Sequence, residues 1–234
     1  MKICKLITIL NKNEKPFEII VLGPPLSGKG TQTELVAKTF DIPHISTGPI
    51  LHTIKSDVSN PLSSEVMGYM DKGQLVPTEL VNRLVADRIK QADCKFGYAM
   101  DGFPRTLEQA QFMDVSADVD YVFSIKISDT TIIERMSGRR VCKNGHTWHM
   151  KYSPPKVEGI CDDCGEQLFQ RDDDKEETVK ARLEIYHRET DAIIKFYTDK
   201  GMLIEIDGET HIEGVFQQIV KKMVVDLRGK IGWK

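Results

Sequence analysis

The sequence predicts an α/β fold in which a mainly parallel sheet is covered by helices on both faces. Three observations carry the prediction. Short, nearly all-apolar runs recur along the chain, each run is followed by residues with helical periodicity, and one segment near the middle breaks this alternation. A chain of 234 residues, 40% hydrophobic and 29% charged, has enough material for one sizeable core carrying smaller inserted modules.

Residues 1–16 read as a polar-ended extension. Lys5 interrupts its short apolar run and no small-residue cleavage pattern follows, so no signal or transit peptide is expected. Phe17–Leu22 is nearly all apolar, as a parallel strand buried on both faces must be. From Thr31 to Phe40, apolar Leu35, Val36 and Phe40 recur at helical spacing among Lys and Glu. Helical patterning also covers Thr78–Ala92, Leu107–Asp114, about Thr130–Met136 and Glu177–Lys200. Strands are expected at Tyr98–Met100, Tyr121–Ile127 and Leu203–Ile206. The stretch from Gly138 to Asp174 holds Trp148, several prolines, an Asn-Gly turn and a Cys-x-x-Cys pair, and suits a small β-rich insertion. The expected layout is a core over 17–45, 77–137 and 175–234, an inserted helical segment over 46–76, and the β-rich insertion over 138–174.

A net charge of −3 provides no global cationic field, which argues against a nucleic-acid-binding protein. No run of about 18 apolar residues is present, so no membrane span is expected. The five cysteines, at 4, 94, 142, 161 and 164, point to reduced cytoplasmic usage with a metal site rather than a disulfide framework. Nothing suggests an exposed seam, and a monomer is expected.

The densest chemistry lies in "GPPLSGKGTQ" at 23–32. Gly23, Gly28 and Lys29 have the spacing of a phosphate-binding loop, placed between a strand and a helix. Glycines let the backbone aim its N–H groups inward and the helix start adds positive dipole, so Pro25, Leu26, Ser27, Gly28 and Gly30 would ring a polyphosphate. Lys29 would reach the β- and γ-phosphates, and the Thr31 hydroxyl the metal or α-phosphate region. The sheet is then of the P-loop NTPase type.

Further stretches follow: "ISTG" at 45–48, "DGFPRT" at 101–106, "GRRVC" at 138–142, "RDDDKEETVKARL" at 171–183 and "IDG" at 206–208. Together with the loop, and in this order, they resemble the adenylate kinase family of nucleoside monophosphate kinases in its long-lid form, from about residue 17 to the end. The resemblance implies reversible phosphoryl transfer from Mg·ATP to AMP. The chemistry needs a donor site, an acceptor site and cationic forks to neutralise phosphate oxygens, which arginine supplies. By resemblance, Arg139 and Arg171 close over ATP phosphates from a lid at 138–174. Arg105 and Arg182 hold the acceptor and transferring phosphates, and Arg135 packs near the donor adenine. Thr147, Trp148 and Thr210 lie by the donor base. Asp101 organises Mg²⁺ through water. The segment 46–76 becomes the nucleoside monophosphate-binding part. The acceptor side draws on Thr47, Gln74, Leu75, Val76, Gly102, Phe103, Pro104, Arg105 and Gln109, with Arg171 and Arg182 on its phosphate. Leu75 and Val76 equally suit ordinary core packing.

The chain departs from that pattern after Gly48, where the family continues with Asp, two apolar residues and Arg. Here the run is Pro49-Ile-Leu-His52. Proline is compatible with a helix start, but both charges are lost. A missing Arg–phosphate contact costs roughly 1.5–3 kcal/mol, about ten- to a hundredfold in affinity. His52 replaces it in part, and only as imidazolium, which a histidine with its ordinary pKa of about 6.5 mostly is not at neutral pH. A weakened AMP site is therefore expected, with GTP as donor or a catalytically weak nucleotide-binding homologue as alternatives.

Long-lid relatives carry two Cys-x-x-Cys pairs and structural zinc. This chain has Cys142, Cys161 and Cys164, so a Cys₃His zinc site is expected. A two-residue hairpin turn at Asn144-Gly145 would put Cys142 opposite Thr147 and bring His149 to its face, whereas a zinc-knuckle turn would favour His146.

Overall fold

Four consecutive apolar residues, Ile19 to Leu22, have no polar face to turn to water, and they lie buried in the middle of a sheet. The computed structural model describes residues 17–72, 74–171, 174 and 176–230; the extension expected over 1–16 lies outside the described residues. Strand β1 (Phe17–Leu22) leads through the glycine-rich loop into helix α1 (Lys29–Phe40). Strand β2 (His44–Ser46) is followed by α2 (Thr47–Ser56), α3 (Ser63–Met70) and α4 (Thr78–Ile89). After a 3₁₀ turn come β3 (Gly97–Asp101), α5 (Leu107–Ser116), β4 (Tyr121–Lys126) and α6 (Asp129–Gly138). The insertion opens with β5 (Arg139–Val141) and β6 (Thr147–His149), and the chain continues through α7 (Glu176–Asp199), β7 (Leu203–Asp207) and α8 (Ile212–Lys230).

The five long-range strands pair in parallel in the order β2-β3-β1-β4-β7. Alternate side chains of β1 go to opposite faces, which is why its apolar run is unbroken. Ile20 and Leu22 pack with Val81, Val85, Met113 and Ile193, while Ile19 and Val21 pack with Val36, Phe40, Val215 and Ile219. Truncating one of these central isoleucines to alanine would cost about 2–5 kcal/mol. The doubly covered parallel sheet is the fold class expected. Several boundaries differ from expectation by one to three residues, two of them for a visible reason. The helix after the loop starts at Lys29 rather than Thr31, because Gln32 N–H already donates to Gly28 O. The helix from Thr78 stops at Ile89 and gives way to the 3₁₀ turn.

Residues 139–169 form the β-rich insertion. The β5–β6 hairpin is antiparallel, and isolated bridges join Val141 to Phe169, His149 to Ser153 and Ile160 to Gln167. Gly138 is needed where α6 meets this hairpin, because a Cβ there would lie 2.3 Å from the His149 ring. Ile132, Val179 and Leu183 form a separate apolar cluster between α6 and α7 at the insertion's base. Among the described residues, no helix is long and apolar enough to cross a membrane.

Candidate functional site: a phosphate loop beside an arginine-lined cleft

Parallel strands direct all their carboxyl ends to one edge, and the side chains carrying the motifs gather there. The loop after β1 turns through two left-handed residues, Leu26 (φ 62°) and Gly28 (φ 85°), before Lys29 opens α1. Lys29 Nζ donates to Pro24 O at 3.0 Å. The residue keeps some solvent contact, but protein atoms crowd its ammonium. That desolvation, aided by the charges of Arg105, Arg182 and Arg139 and opposed by Asp101, lowers its pKa to about 7. Pro25 and Ser27 are buried in the same loop. Arg135, on α6, ties this loop to the one after β7: its guanidinium donates to Ser27 O at 3.2 Å and Gly208 O at 3.0 Å, close in sequence to Thr210.

Asp101 ends β3. It is 4% exposed and its Oδ1 makes no hydrogen bond. Burial pushes its carboxyl up, but His44, Lys29 and Ser46 together hold it below the ordinary value. His44 Nε2 lies 3.5 Å away. The sequence reading missed His44. The signal available was strand alternation, since Ser46 sits opposite Asp101 in the β2–β3 register and His44 is two residues before it.

Two cavities open beside these groups. The first, about 660 Å³ with its mouth, is lined by Gly23, Pro25, Lys29, Pro104 and apolar residues of α7. The second, about 630 Å³, is lined by Thr47, His52, Gln74, Leu75, Val76 and Gln109, with Arg171 on its wall. Leu75, Gly102, Arg105 and Arg182 line both cavities, so the two adjoin at a pair of arginines. Thr47 Oγ1 donates to Gly102 O at 2.8 Å, Arg105 Nε donates to the same carbonyl at 2.7 Å, and Gln109 Oε1 accepts from Arg105 N–H at 2.7 Å. These bonds lock the "DGFPRT" turn against α2 and α5. Phe103 is fully buried, its ring edge-on to Phe112, so its side chain serves the core. Arg171 Nη2 contacts His52 Nε2. A guanidinium has no acceptor, so the imidazole offers its lone pair in this contact.

The remaining arginines and lid residues stand apart from the cavities. Arg139 forks onto the fully buried carboxylate of Asp174, with Nε 2.7 Å from Oδ2 and Nη2 on Oδ1. Arg140 donates to the carbonyls of Ser137 and Arg139. Thr147, Trp148 and Thr210 line neither cavity. Gly30 and Thr31 belong to the first turn of α1.

In the insertion, Cys142, His146, Cys161 and Cys164 bring their ligand atoms within 4.8 Å of one another. Cys142 Sγ lies 3.6 Å from Cys164 Sγ and 3.5 Å from His146 Nδ1, and Cys161 Sγ lies 3.4 Å from the same nitrogen. A tetrahedral zinc with Zn–S of about 2.3 Å and Zn–N of about 2.0–2.1 Å separates its ligands by about 3.5–3.8 Å, which these three separations approach. Burial works to raise the Cys161 thiol, but hydrogen bonds from the Trp148 indole and from nearby backbone N–H groups bring it to about 6.

The two-residue hairpin considered above is not the one formed. Val141 pairs with Thr147, Cys142 N–H donates to His146 O at 3.1 Å, and Gly145 takes φ 87°. The loop therefore has three residues, with a left-handed glycine closing it. This one-residue shift brings His146, not His149, to Cys142. His149 is occupied elsewhere: its Nδ1 accepts from the N–H of Lys151 and of Tyr152, and its Nε2 donates to Arg135 O at 3.0 Å.

A glycine-rich loop, an adjoining second cleft and arginines at their junction can hold two phosphorylated ligands with their phosphates facing. A family model described as adenylate kinase matches residues 21–202. The chain is 51% identical to an adenylate kinase of Lachnospira eligens over 212 residues, covering 88% of this chain and 99% of that protein. It is 48% identical to one of Caldicellulosiruptor saccharolyticus, covering 90% of this chain and all of the other. An adenylate kinase of Methanococcoides burtonii is 42% identical, at 88% and 98% coverage.

Proposed function

The chain belongs to the adenylate kinase family and is an enzyme that transfers phosphoryl groups between adenine nucleotides, and from that premise we propose that it interconverts Mg·ATP and AMP with two ADP, the donor on the glycine-rich loop and the acceptor in the neighbouring cleft. The observation that carries this assignment is the sharing of Arg105 and Arg182 by the two cavities. An oxygen of the AMP phosphate attacks the γ-phosphorus, the bond to the β-phosphate oxygen breaks, and ADP is both product and leaving group. Lys29, Arg105 and Arg182 neutralise the oxygens in flight, and positioning with electrostatics carries the catalysis. Arg139 and Arg171 come from the lid. Arg139 would exchange its fork on Asp174 for phosphate, and Arg171 would turn from His52 to the phosphates.

Magnesium enters with ATP and shields its phosphate charge. The buried carboxylate of Asp101 would accept from magnesium-bound water. Because Pro49 stands where the family has a carboxylate, Asp101 has no acidic neighbour there. Zinc would be structural, held by Cys142, His146, Cys161 and Cys164 as a closed tetrahedron without an open position. Metal analysis of protein purified without added zinc should give about one per chain, and a ratio near zero ends that assignment.

The decisive experiment is a coupled assay of purified protein with ATP or GTP against AMP, UMP, CMP and GMP. ATP with AMP should give the highest kcat/KM. A faster reaction with GTP would move the donor assignment, and no transfer with any pair would leave a nucleotide-binding homologue. His52 marks the weaker half of the site, and a high KM for AMP is expected.

A further inference from the structure

Register decides which side chains of the β5–β6 hairpin face the cysteine cluster. With Cys142 opposite His146 and Arg140 opposite Trp148, strand alternation puts Trp148 on the same face as Cys142 and His146. A one-residue slip would have turned it away. Its indole Nε1–H donates to Cys161 Sγ at 3.3 Å. The backbone of Cys161 is held as well: its N–H donates to Glu166 O and its carbonyl accepts from Gly165 N–H, each at 2.8 Å. The sulfur therefore has a fixed origin and a fixed donor from outside the four-ligand set.

We propose that Trp148 is a positioning residue of the metal centre, its N–H···S hydrogen bond orienting Cys161 and stabilising that sulfur as a thiolate ligand. This rests on reading Cys142, His146, Cys161 and Cys164 as a zinc site. A thiolate bound to a cation keeps lone pairs and residual negative charge, and a directed N–H satisfies one of them without competing for the metal. Groups that hold a ligand in this way commonly change metal affinity 10–100-fold when removed. The coupling is reciprocal: a metal that fixes Cys161 also fixes the indole ring.

The test uses the full chain, stripped of metal and titrated with zinc against a chromophoric chelator. Wild type is compared with Trp148→Phe and with protein carrying at position 148 the tryptophan isostere whose ring nitrogen is replaced by sulfur. The isostere keeps ring shape and packing and removes only the donor. All three should bind one zinc, with affinity about 10–100-fold lower in both altered proteins. Trp148→Phe alone could lose affinity through packing, so the isostere decides. A second readout uses a Trp233→Phe background, in which Trp148 is the sole tryptophan and its emission should change as zinc fills the site. Equal zinc affinity for wild type and isostere overturns the inference, and so does emission that stays flat while zinc binds. A wild type that takes up no zinc overturns the metal assignment itself, which separates the two failures.

Discussion

Lys29 must be charged where a polyphosphate sits, yet burial and three arginines lower its pKa to about 7 in the nucleotide-free protein. Its charged form is the disfavoured one until an anion arrives, and bound phosphates raise the pKa again. Between the free and bound values, binding must take up a proton. ATP affinity is therefore full below about pH 7 and falls as pH rises above it. Calorimetry with Mg-saturated ATP in two buffers of different ionisation enthalpy should report about half a proton taken up per ATP at pH 7, and none if the lysine is fully charged beforehand. His52 raises the parallel question on the acceptor side. Its Nε2 contacts Arg171 on the wall of the second cavity. His52→Arg should lower the KM for AMP by roughly ten- to a hundredfold at pH 8 with little change in kcat. The gap should narrow towards pH 6, where a histidine gains its own charge. An unchanged KM together with a flat pH response would sink the idea of a weakened AMP site. The arginines that line the cavities, Arg105, Arg171 and Arg182, were legible in the sequence because motif order marks them. His44 was not, since a lone histidine in a three-residue strand has no spacing signal of its own. Nor was Asp174 as the partner of Arg139, because a fork between residues 35 positions apart depends on tertiary closure.

Elements differed in legibility for a related reason. β1 and β4 announce themselves because strands buried on both faces are mostly apolar. The register of the β5–β6 hairpin was hidden because Asn144-Gly145 suits two- and three-residue loops alike, and only Gly145's left-handed conformation and the pairing of Cys142 with His146 separate them. Strands of three residues each are too short to stand alone. Besides its bridges and backbone hydrogen bonds, the segment 142–164 is joined by the Cys142, His146, Cys161 and Cys164 cluster, which a metal would cross-link. Chelation should therefore loosen this element selectively. Limited proteolysis after metal removal should cut between 142 and 168 at least about tenfold faster, local opening being cheaper than global unfolding. Fragments should begin near exposed Tyr152 and Val157, with the sheet and its covering helices intact. Uniform cleavage across the chain, or no acceleration, would mean the hairpin does not depend on the metal.

On the scale of the whole molecule, the helices that border the β-rich insertion also reach the glycine-rich loop and both cavities. α6 carries Arg135, which holds the phosphate loop and the loop after β7, and its end is clasped by His149 of the hairpin. α7 carries Arg182, which lines both cavities, and Arg171 reaches His52 across the acceptor cleft. These contacts link the insertion to the glycine-rich loop and to the second cavity. The parallel sheet was readable from patterning, whereas this coupling arises only when distant segments meet. Its consequence concerns water. With AMP absent, the acceptor cleft holds solvent where the attacking phosphate oxygen belongs, and no second nucleotide draws Arg171 and α2 into place. Water is then available but poorly positioned, and misplacement by about an ångström costs on the order of a hundredfold in rate. ATP hydrolysis without AMP should run at least that far below phosphoryl transfer under the same conditions, followed by phosphate release with a sensitive reporter. Arg171→Ala should narrow the gap, because the transfer reaction loses a lid contact that hydrolysis in the open state does not use. Hydrolysis at a rate comparable to transfer would show that the arginines are arranged for catalysis before the acceptor arrives.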